Sequence, residues 1–215
     1  MNFKSLLIST SMFAVMAIPL DKKEAWTELA FKNIPTNTVS YSATGLNVVV
    51  KNSASPLVYK LDKFYKISGF EVVLKIDGDL QNAPAEKNIE EDSLFRLGLV
   101  VEGKQKLNAV KKLFAPDWVK KLFALAPEGA GLEKIYFYNV GRTTASMGLK
   151  RDHPKTDLMS EEVVAVRQKN ETEVKINYQL EKPVNIAALW LSIDGDDSKS
   201  AFTTNIEKIN LITAE

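Results

Sequence analysis

The chain has 215 residues, 45% of them hydrophobic, with 28 basic and 27 acidic side chains and no cysteine. Its length suits one domain with a sizeable core, and the missing cysteines exclude a disulfide-stabilised fold. The near-zero net charge gives no electrostatic reason to expect nucleic acid or an anionic membrane as the partner.

The N-terminus predicts an export signal. Residues 1–17 combine a basic start at Lys4, an apolar stretch and the small residue Ala17. The stretch is shorter than the roughly 20 residues that a membrane span needs, so an uncleaved anchor is the lesser alternative. We therefore expect a signal peptide in residues 1–17, with cleavage as late as about residue 25, and one domain in residues 18–215. Because the domain lacks disulfides, the bacterial periplasm or bacterial secretion is the expected location.

Apolar and polar residues alternate along most of the remaining chain, with the cleanest case at Val174–Leu180. Such alternation predicts β-strands that are buried on one face. The predicted strands are 38–42, 46–51, 56–61, 72–76, 95–101, 132–140, 161–168, 174–180, 186–193 and 206–211. Many short strands with turn residues between them predict an all-β fold, an antiparallel β-sandwich or jelly roll.

One segment has helical spacing instead. Between Asn108 and Ala126, apolar residues recur at three- and four-residue intervals with lysines between them. Pro116 fits the first turn of a helix, and Pro127 follows its end. This amphipathic helix could lie on a membrane, but we expect it to pack over the sandwich, because one short helix is weak evidence for a membrane surface.

An acidic turn follows the predicted strand 186–193. Asp194, Asp196 and Asp197 offer carboxylates of the kind that Ca²⁺ takes, and they are the predicted metal ligands. Their spacing does not match an EF-hand loop. The tetrapeptide Ile-Asp-Gly-Asp also occurs at residues 76–79, and both copies follow an apolar strand. We therefore interpret each copy first as a strand-ending turn in which glycine supplies an unusual backbone angle, and second as a calcium site.

The long polar connection 141–160 contains the other candidates. His153 is the single histidine of the chain, and Arg151 and Asp152 lie beside it, so these three are the weak catalytic candidates. Arg142 and Arg151 could clamp an anionic ligand with paired hydrogen bonds.

The three tryptophans are candidates for stacking on a sugar ring. Trp190 lies in an unbroken apolar run and Trp118 in the helical stripe, so we expect both in the core. Trp26 lies among polar residues and is the one we expect to be partly exposed and to bind a ligand. Phosphate-loop, nucleophile-elbow and metalloprotease signatures are missing from the sequence.

Three segments carry a resemblance to a known family: residues 53–59 with the following 76–79, residues 91–102, and residues 189–197 with the strand after them. In these segments the chain resembles a family of exported bacterial proteins of unknown function with a galactose-binding-like jelly-roll fold. The family usually has an acidic turn before its last strand, as here, but a short connection in place of residues 108–126. The resemblance implies a jelly roll and export; it supplies no function, because one fold hosts many functions.

The sequence favours a non-catalytic exported β-sandwich that binds carbohydrate, another small ligand or an envelope component at its rim loops. A structural or assembly protein that uses the apolar helix stripe is the first alternative. A glycan-active enzyme is the second, with Arg151, His153 and the carboxylates of Asp194, Asp196 and Asp197 converging on one pocket.

Overall fold

The computed structural model describes residues 14–84, 88–154 and 156–214. Residues 1–13 hold most of the predicted export signal and lie outside this part of the chain, so the signal stays a prediction. The strands are β1 (Val15–Ala17), β2 (Trp26–Glu28), β3 (Thr38–Ser42), β4 (Gly45–Lys51), β5 (Leu57–Asp79), β6 (Ser93–Gly103), β7 (Gly131–Gly141), β8 (Lys150–Asp152), β9 (Met159–Val166), β10 (Glu173–Asp194) and β11 (Ala201–Thr213). The helices are α1 (Ala109–Phe114) and α2 (Asp117–Phe123), and single 3₁₀ turns occupy Lys23–Ala25 and Thr144–Ser146.

The strands form a hydrogen-bonded sheet in the order β3-β4-β11-β5-β10-β6-β7-β9-β8, with β1 paired to β11 and β2 to β5. Each neighbouring pair is antiparallel except β7 and β9, which are parallel. The predicted antiparallel arrangement is therefore wrong for that one pair. A parallel pair needs a long connection, which explains why residues 142–158 lie between two adjacent strands.

Two strands are much longer than the sequence pattern predicts. β5 joins the predicted strands 56–61 and 72–76, and β10 joins 174–180 and 186–193. The two pair with each other along most of their length, with register shifts near residues 179–184 and 186–188. Pro183 falls in the first of these irregular segments, where a residue without an N–H is tolerated. From Ile186 to Asp194, β10 also pairs with β6.

Contacts between strands that are not neighbours show that the sheet folds into two facing layers. Phe70 of β5 packs against Tyr138 of β7, with ring centroids 5.0 Å apart. Thr204 of β11 donates a hydrogen bond of 2.9 Å to the backbone carbonyl of Leu94 in β6. Apolar residues from both layers form one buried cluster that includes Leu74, Phe95 and Leu99. The molecule is therefore a β-sandwich, which confirms the predicted fold class.

A second apolar cluster covers the outer face of one layer. It contains Ile135 and Phe137 of β7, Trp190 of β10, and Val119 and Leu122 of α2. Trp190 is buried, as predicted. Since residues of β7 alternate between the two clusters, α2 lies against the face of the sheet that points away from the main core.

The predicted helix 108–126 is two short helices separated at Ala115 and Pro116. Pro116 lacks an N–H and disfavours helical backbone angles at the residue before it, so one continuous helix cannot form. Trp118 and Phe123 are partly buried against the second cluster. The predicted packing of the helix on the sandwich is confirmed for α2.

The residues after the predicted signal belong to the core. Ile18 and Leu20 are buried, and the Trp26 indole donates a 2.8 Å hydrogen bond to the backbone carbonyl of Pro19. Val15–Ala17 forms the short strand β1, whose side chains are mostly exposed. Cleavage as late as residue 25 would remove both buried side chains and strand β1, which pairs with β11, so the packing disfavours a cleavage site that late.

A pair of truncated chains tests whether residues 18–25 belong to the folded domain. A chain starting at Ile18 should fold and unfold cooperatively. A chain starting at Trp26 should lose about 3–6 kcal/mol of unfolding free energy, because two buried aliphatic side chains contribute about 1.5–3 kcal/mol each. Urea unfolding, followed by tryptophan fluorescence, measures the unfolding free energy of each chain. Equal stability of the two chains would contradict the placement of residues 18–25 in the folded domain.

Candidate functional site

A groove with a cavity volume of about 570 Å³ lies between the two layers of the sandwich. One wall comes from β7, β8 and β9, and the other from residues 178–184 of β10. We call it the tyrosine groove, after Tyr136, Tyr138 and Tyr178, which line it. Its volume falls in the range of about 300–1,000 Å³ that is usual for small-molecule sites.

Strand alternation places these tyrosines together. Tyr136 and Tyr138 are two residues apart on β7, so they share the face that looks toward the other layer. The Tyr138 and Tyr178 rings lie 4.9 Å apart, and the Tyr178 ring stacks on Phe70 at 5.4 Å. Tyr138 is nearly buried, whereas Tyr136 and Tyr178 are half-buried. The groove therefore presents two accessible aromatic surfaces above the packed rings of Phe70 and Tyr138.

The tyrosine hydroxyls are held in the protonated form. Burial, followed by a hydrogen bond to Glu133, raises the pKa of Tyr136 to about 12. Burial and a hydrogen bond to Glu162 raise the pKa of Tyr178 to about 12. The two acceptors lie 2.5 Å and 2.9 Å from the respective hydroxyl oxygens.

Lys150 links the two walls. Its ammonium group lies 3.0 Å from a carboxylate oxygen of Glu181 on β10 and 3.2 Å from one of Glu162 on β9. A hydrogen bond to Glu181, followed by one to Glu162, raises the pKa of Lys150 well above its usual range. The same lysine lowers the pKa of Glu181.

The end of the groove near β8 carries a second set of ion pairs. The Arg151 guanidinium lies 3.3 Å from Glu161 and 3.2 Å from Glu91. Asp152 accepts hydrogen bonds from Ser160 at 2.7 Å and Lys134 at 3.2 Å, which lower its pKa. These carboxylates are thus engaged by partners within the protein.

The described residues that line the groove carry five carboxylates and three cationic groups. The carboxylates are Glu133, Asp152, Glu161, Glu162 and Glu181, and the cations are Lys150, Arg151 and Lys182. This excess of negative charge disfavours an anionic ligand. Aromatic faces with hydrogen-bonding groups around them suit an uncharged, hydroxyl-rich molecule.

Of the weak catalytic candidates, Arg151 and Asp152 line the groove. His153 follows β8 in a turn, is half-buried and is not among the described lining residues. Burial lowers the pKa of His153, although Glu161 and Glu91 oppose that change.

The acidic turn after β10 lies outside the described lining of the tyrosine groove. The Asp194 side chain is 17% exposed and forms a 3.2 Å ion pair with Arg96. Asp92 orders the turn, because its carboxylate accepts the backbone N–H groups of Asp197 at 3.3 Å and Ser198 at 2.5 Å. Gly78 has the expected positive φ of +89°, but it lies within β5 and pairs with Phe202 of β11, so the first copy is not a turn. The second copy does lead into a turn, but Gly195 is not among the glycines with positive φ, so the predicted backbone angle is wrong there.

No group of three or more His, Cys, Asp or Glu side chains that could hold a metal ion is found in the described ranges. The predicted calcium ligands have other surroundings in the structure. Asp194 contacts a guanidinium, and Asp197 is exposed. Calcium at Asp194, Asp196 and Asp197 stays a prediction, which a thermal melt in calcium and then in chelator tests.

The structure buries two of the predicted ligand-binding residues, Trp26 and Arg142. Trp26 is 6% exposed and packs in the main core with its ring 5.3 Å from Tyr59, because strand β2 pairs with β5 and carries it inward. Arg142 is buried and binds its own chain: it contacts Glu90, lies 3.6 Å from Asp79, and donates a hydrogen bond to the Asn82 carbonyl at 3.1 Å. Its charge is therefore used within the fold.

Sequence reasoning missed Tyr136, Tyr178, Lys150 and Glu162. The sequence predicts the strands 132–140 and 174–180 that carry the tyrosines. It does not show whether a tyrosine on the buried face of such a strand lies inside the core or at the open edge of the core, because the alternation of apolar and polar residues is the same in both cases. The one available signal is the tyrosine hydroxyl, which needs a polar partner when it is buried.

No protein-family model and no curated protein sequence matches the chain. Membership of the exported family therefore stays a prediction. The described part of the chain contains no helix long and apolar enough to cross a membrane.

Comparison with solved structures finds weak similarities at low identity. A xylan-binding module, CBM15, is 9% identical with a TM-score of 0.42, over 95% of this chain and 99% of that one. A family 11 carbohydrate-binding module of the cellulase Lic26A-Cel5E from Clostridium thermocellum is 12% identical with a TM-score of 0.41, over 94% and 96% of the chains. The family 11 xylanase from Neocallimastix patriciarum is 11% identical with a TM-score of 0.36, over 95% and 97%. Similarity at this level carries no argument about function.

The Arg96–Asp194 pair predicts a pH dependence of stability. Burial raises the Asp194 pKa from 3.8 to about 7, although Arg96 opposes the change. The folded state therefore binds more protons than the unfolded state between about pH 4 and pH 7, and stability falls as the pH rises through that window. Asp194→Asn should remove this contribution, so the loss of unfolding free energy from pH 5 to pH 7 becomes smaller by about 2–3 kcal/mol.

Urea unfolding at the two pH values measures this difference. Asp197→Asn, which changes an exposed carboxylate of the same turn, is the matched control and should keep the wild-type dependence. The same pH dependence in Asp194→Asn as in the wild type would contradict the assignment.

Proposed function

We propose that the protein is a non-catalytic carbohydrate-binding protein of the bacterial envelope or secretome that holds an uncharged oligosaccharide in the tyrosine groove. The observation that supports this proposal most strongly is the pair of half-buried tyrosines, Tyr136 and Tyr178, on facing walls of one open groove. A sugar ring has apolar C–H faces and a polar edge, so it can pack on an aromatic ring while its hydroxyls meet side-chain donors and acceptors.

The polar groups are arranged for such a ligand. Lys150, Glu162 and Glu181 are held in a connected set on the two walls, and each retains further hydrogen-bonding capacity. Because the cation and the carboxylates are already paired, the groove needs no charged ligand to satisfy it. The proposed binding surface is the groove between the two layers. It differs from the rim loops that the sequence predicts.

Non-catalytic binding is the better proposal because the groove carboxylates have cationic or hydroxyl partners. Glu161 is buried between Arg151 and Asn139, and Glu162 contacts Lys150 and the Tyr178 hydroxyl. A general acid or nucleophile for glycoside cleavage needs a carboxyl group directed at the substrate. Export, which the proposal includes, rests on the N-terminal sequence alone.

Substitution of the half-buried Tyr136 tests the binding surface. Tyr136→Ala should weaken binding of soluble neutral polysaccharides (xylan, mixed-linkage β-glucan or mannan) at least about tenfold, because it removes an aromatic surface from the middle of the site. Affinity electrophoresis followed by calorimetry measures the effect. Tyr65→Ala, at a half-buried tyrosine outside the groove, should bind as the wild type does.

The charged polymer polygalacturonate is the contrast ligand and should bind at least about tenfold more weakly than the neutral polymers, because the groove has an excess of carboxylates. Binding of polygalacturonate in preference to all neutral polymers, or wild-type affinity in Tyr136→Ala, would contradict the proposal.

Binding should be independent of pH from about pH 6 to about pH 9. The pKa values of Tyr136 and Tyr178 are raised to about 12, and those of Asp152 and Glu181 are lowered, so these groups keep their protonation state across that range. Calorimetric titration in buffers across the window measures this. A steep change near neutrality would mean that an unassigned ionisable group contacts the ligand.

A further inference from the structure

Helix α1 presents an exposed apolar pair. The Leu113 side chain is 74% exposed and that of Phe114 is 80% exposed, which places them among the few large hydrophobic residues of the described chain that face solvent. They are adjacent, and they close the helix just before the break at Pro116. Contiguous apolar side chains in water mark surfaces that contact another protein or a membrane.

The fold explains why this pair is not buried. Val119 and Leu122 of α2 fill the outer apolar cluster. Because Pro116 ends α1, the residues before it cannot continue the buried stripe of α2. Leu113 and Phe114 therefore extend beyond the surface that α2 covers.

The charge around the pair is concentrated and positive. The sequence from 104 to 121 contains six lysines and one aspartate, a net charge of +5, in a chain whose total net charge is +1. Three of these lysines are exposed and form no ion pair with any residue that the structure describes: Lys104, Lys112 and Lys121. Lys60 extends this surface, because its ammonium group lies 3.3 Å from the Ala124 carbonyl at the end of α2.

We propose that the α1–α2 surface docks on an anionic lipid bilayer, with Leu113 and Phe114 inserted at the headgroup level and the lysines on the lipid phosphates. Exposed apolar side chains flanked by lysines match both components of such an interface. Each lysine near an anionic surface adds to the attraction, which salt weakens. The near-neutral charge of the whole chain conceals this patch, because the remaining residues carry the compensating negative charge.

The arrangement leaves the tyrosine groove open. Ile135 and Phe137 of β7 lie in the cluster under α2, whereas Tyr136 and Tyr138 face the other layer. The lipid surface and the groove thus lie on opposite faces of the same strand. Lipid docking does not depend on the proposed carbohydrate binding, so an experiment can contradict either proposal without contradicting the other.

Vesicle co-sedimentation tests the docking. The full chain should bind vesicles of equal parts phosphatidylglycerol and phosphatidylcholine at least about tenfold more strongly than vesicles of phosphatidylcholine alone, and high salt should release it. The double variant Leu113→Ser/Phe114→Ser should lose at least about tenfold in affinity, and Lys112→Glu/Lys121→Glu should lose a similar factor.

Met147→Ser, which changes an exposed apolar residue in the 141–160 connection, is the matched control and should bind as the wild type does. Circular dichroism melts establish that each variant is folded. Equal binding to both vesicle types, or wild-type binding by both double variants, overturns the proposal. A dimer in gel filtration that Leu113→Ser/Phe114→Ser converts to monomer also overturns it, since the occupant would then be a second copy of the chain.

Discussion

The pairing of β5 with β10 is the interaction on which the rest of the structure depends. Both strands exceed twenty residues, and they remain hydrogen-bonded to each other through two register shifts. On one side of the shifts, β5 pairs with β11, and on the other, β10 pairs with β6. Both layers of the sandwich are therefore assembled on one continuous two-strand ribbon, and the irregular pairing at its bends sets where the layers separate.

The tyrosine groove follows from that geometry. Tyr178 lies just before the first shift in β10, and Tyr138 lies on β7 of the opposite layer. Their rings meet at 4.9 Å, which closes the core below the groove. Beyond this contact the walls are joined by Lys150 and its two carboxylate partners. A polar link at the edge of an apolar core keeps the groove accessible, since its charged groups remain partly solvated.

Most of the chemically suggestive residues serve the fold. Arg142 joins the segments around Asp79 and Glu90, and Arg96 joins β6 to the end of β10 through Asp194. A buried guanidinium needs several acceptors, which the carbonyls of Glu90 and Glu91 also supply to Arg96. Clusters of charge at strand ends are thus used to fasten loops, while the proposed ligand surface is built from tyrosines in regular strands.

The sequence by itself determined the fold class and the positions of the longer strands, because alternation of apolar and polar residues is a local consequence of burying one face of a strand. The three-residue strands β1, β2 and β8 were not predicted. The sequence also determined that a helical segment lies within residues 108–126, because apolar spacing along a helix is a local property, although the division into α1 and α2 at Pro116 was not predicted. It did not determine that 56–61 joins 72–76, that β7 and β9 run parallel, or that Trp26 is buried while Tyr136 is accessible. These depend on which strands become neighbours and where the layers part. Only the tertiary structure decided them, because a side chain's exposure is set by residues distant in the chain.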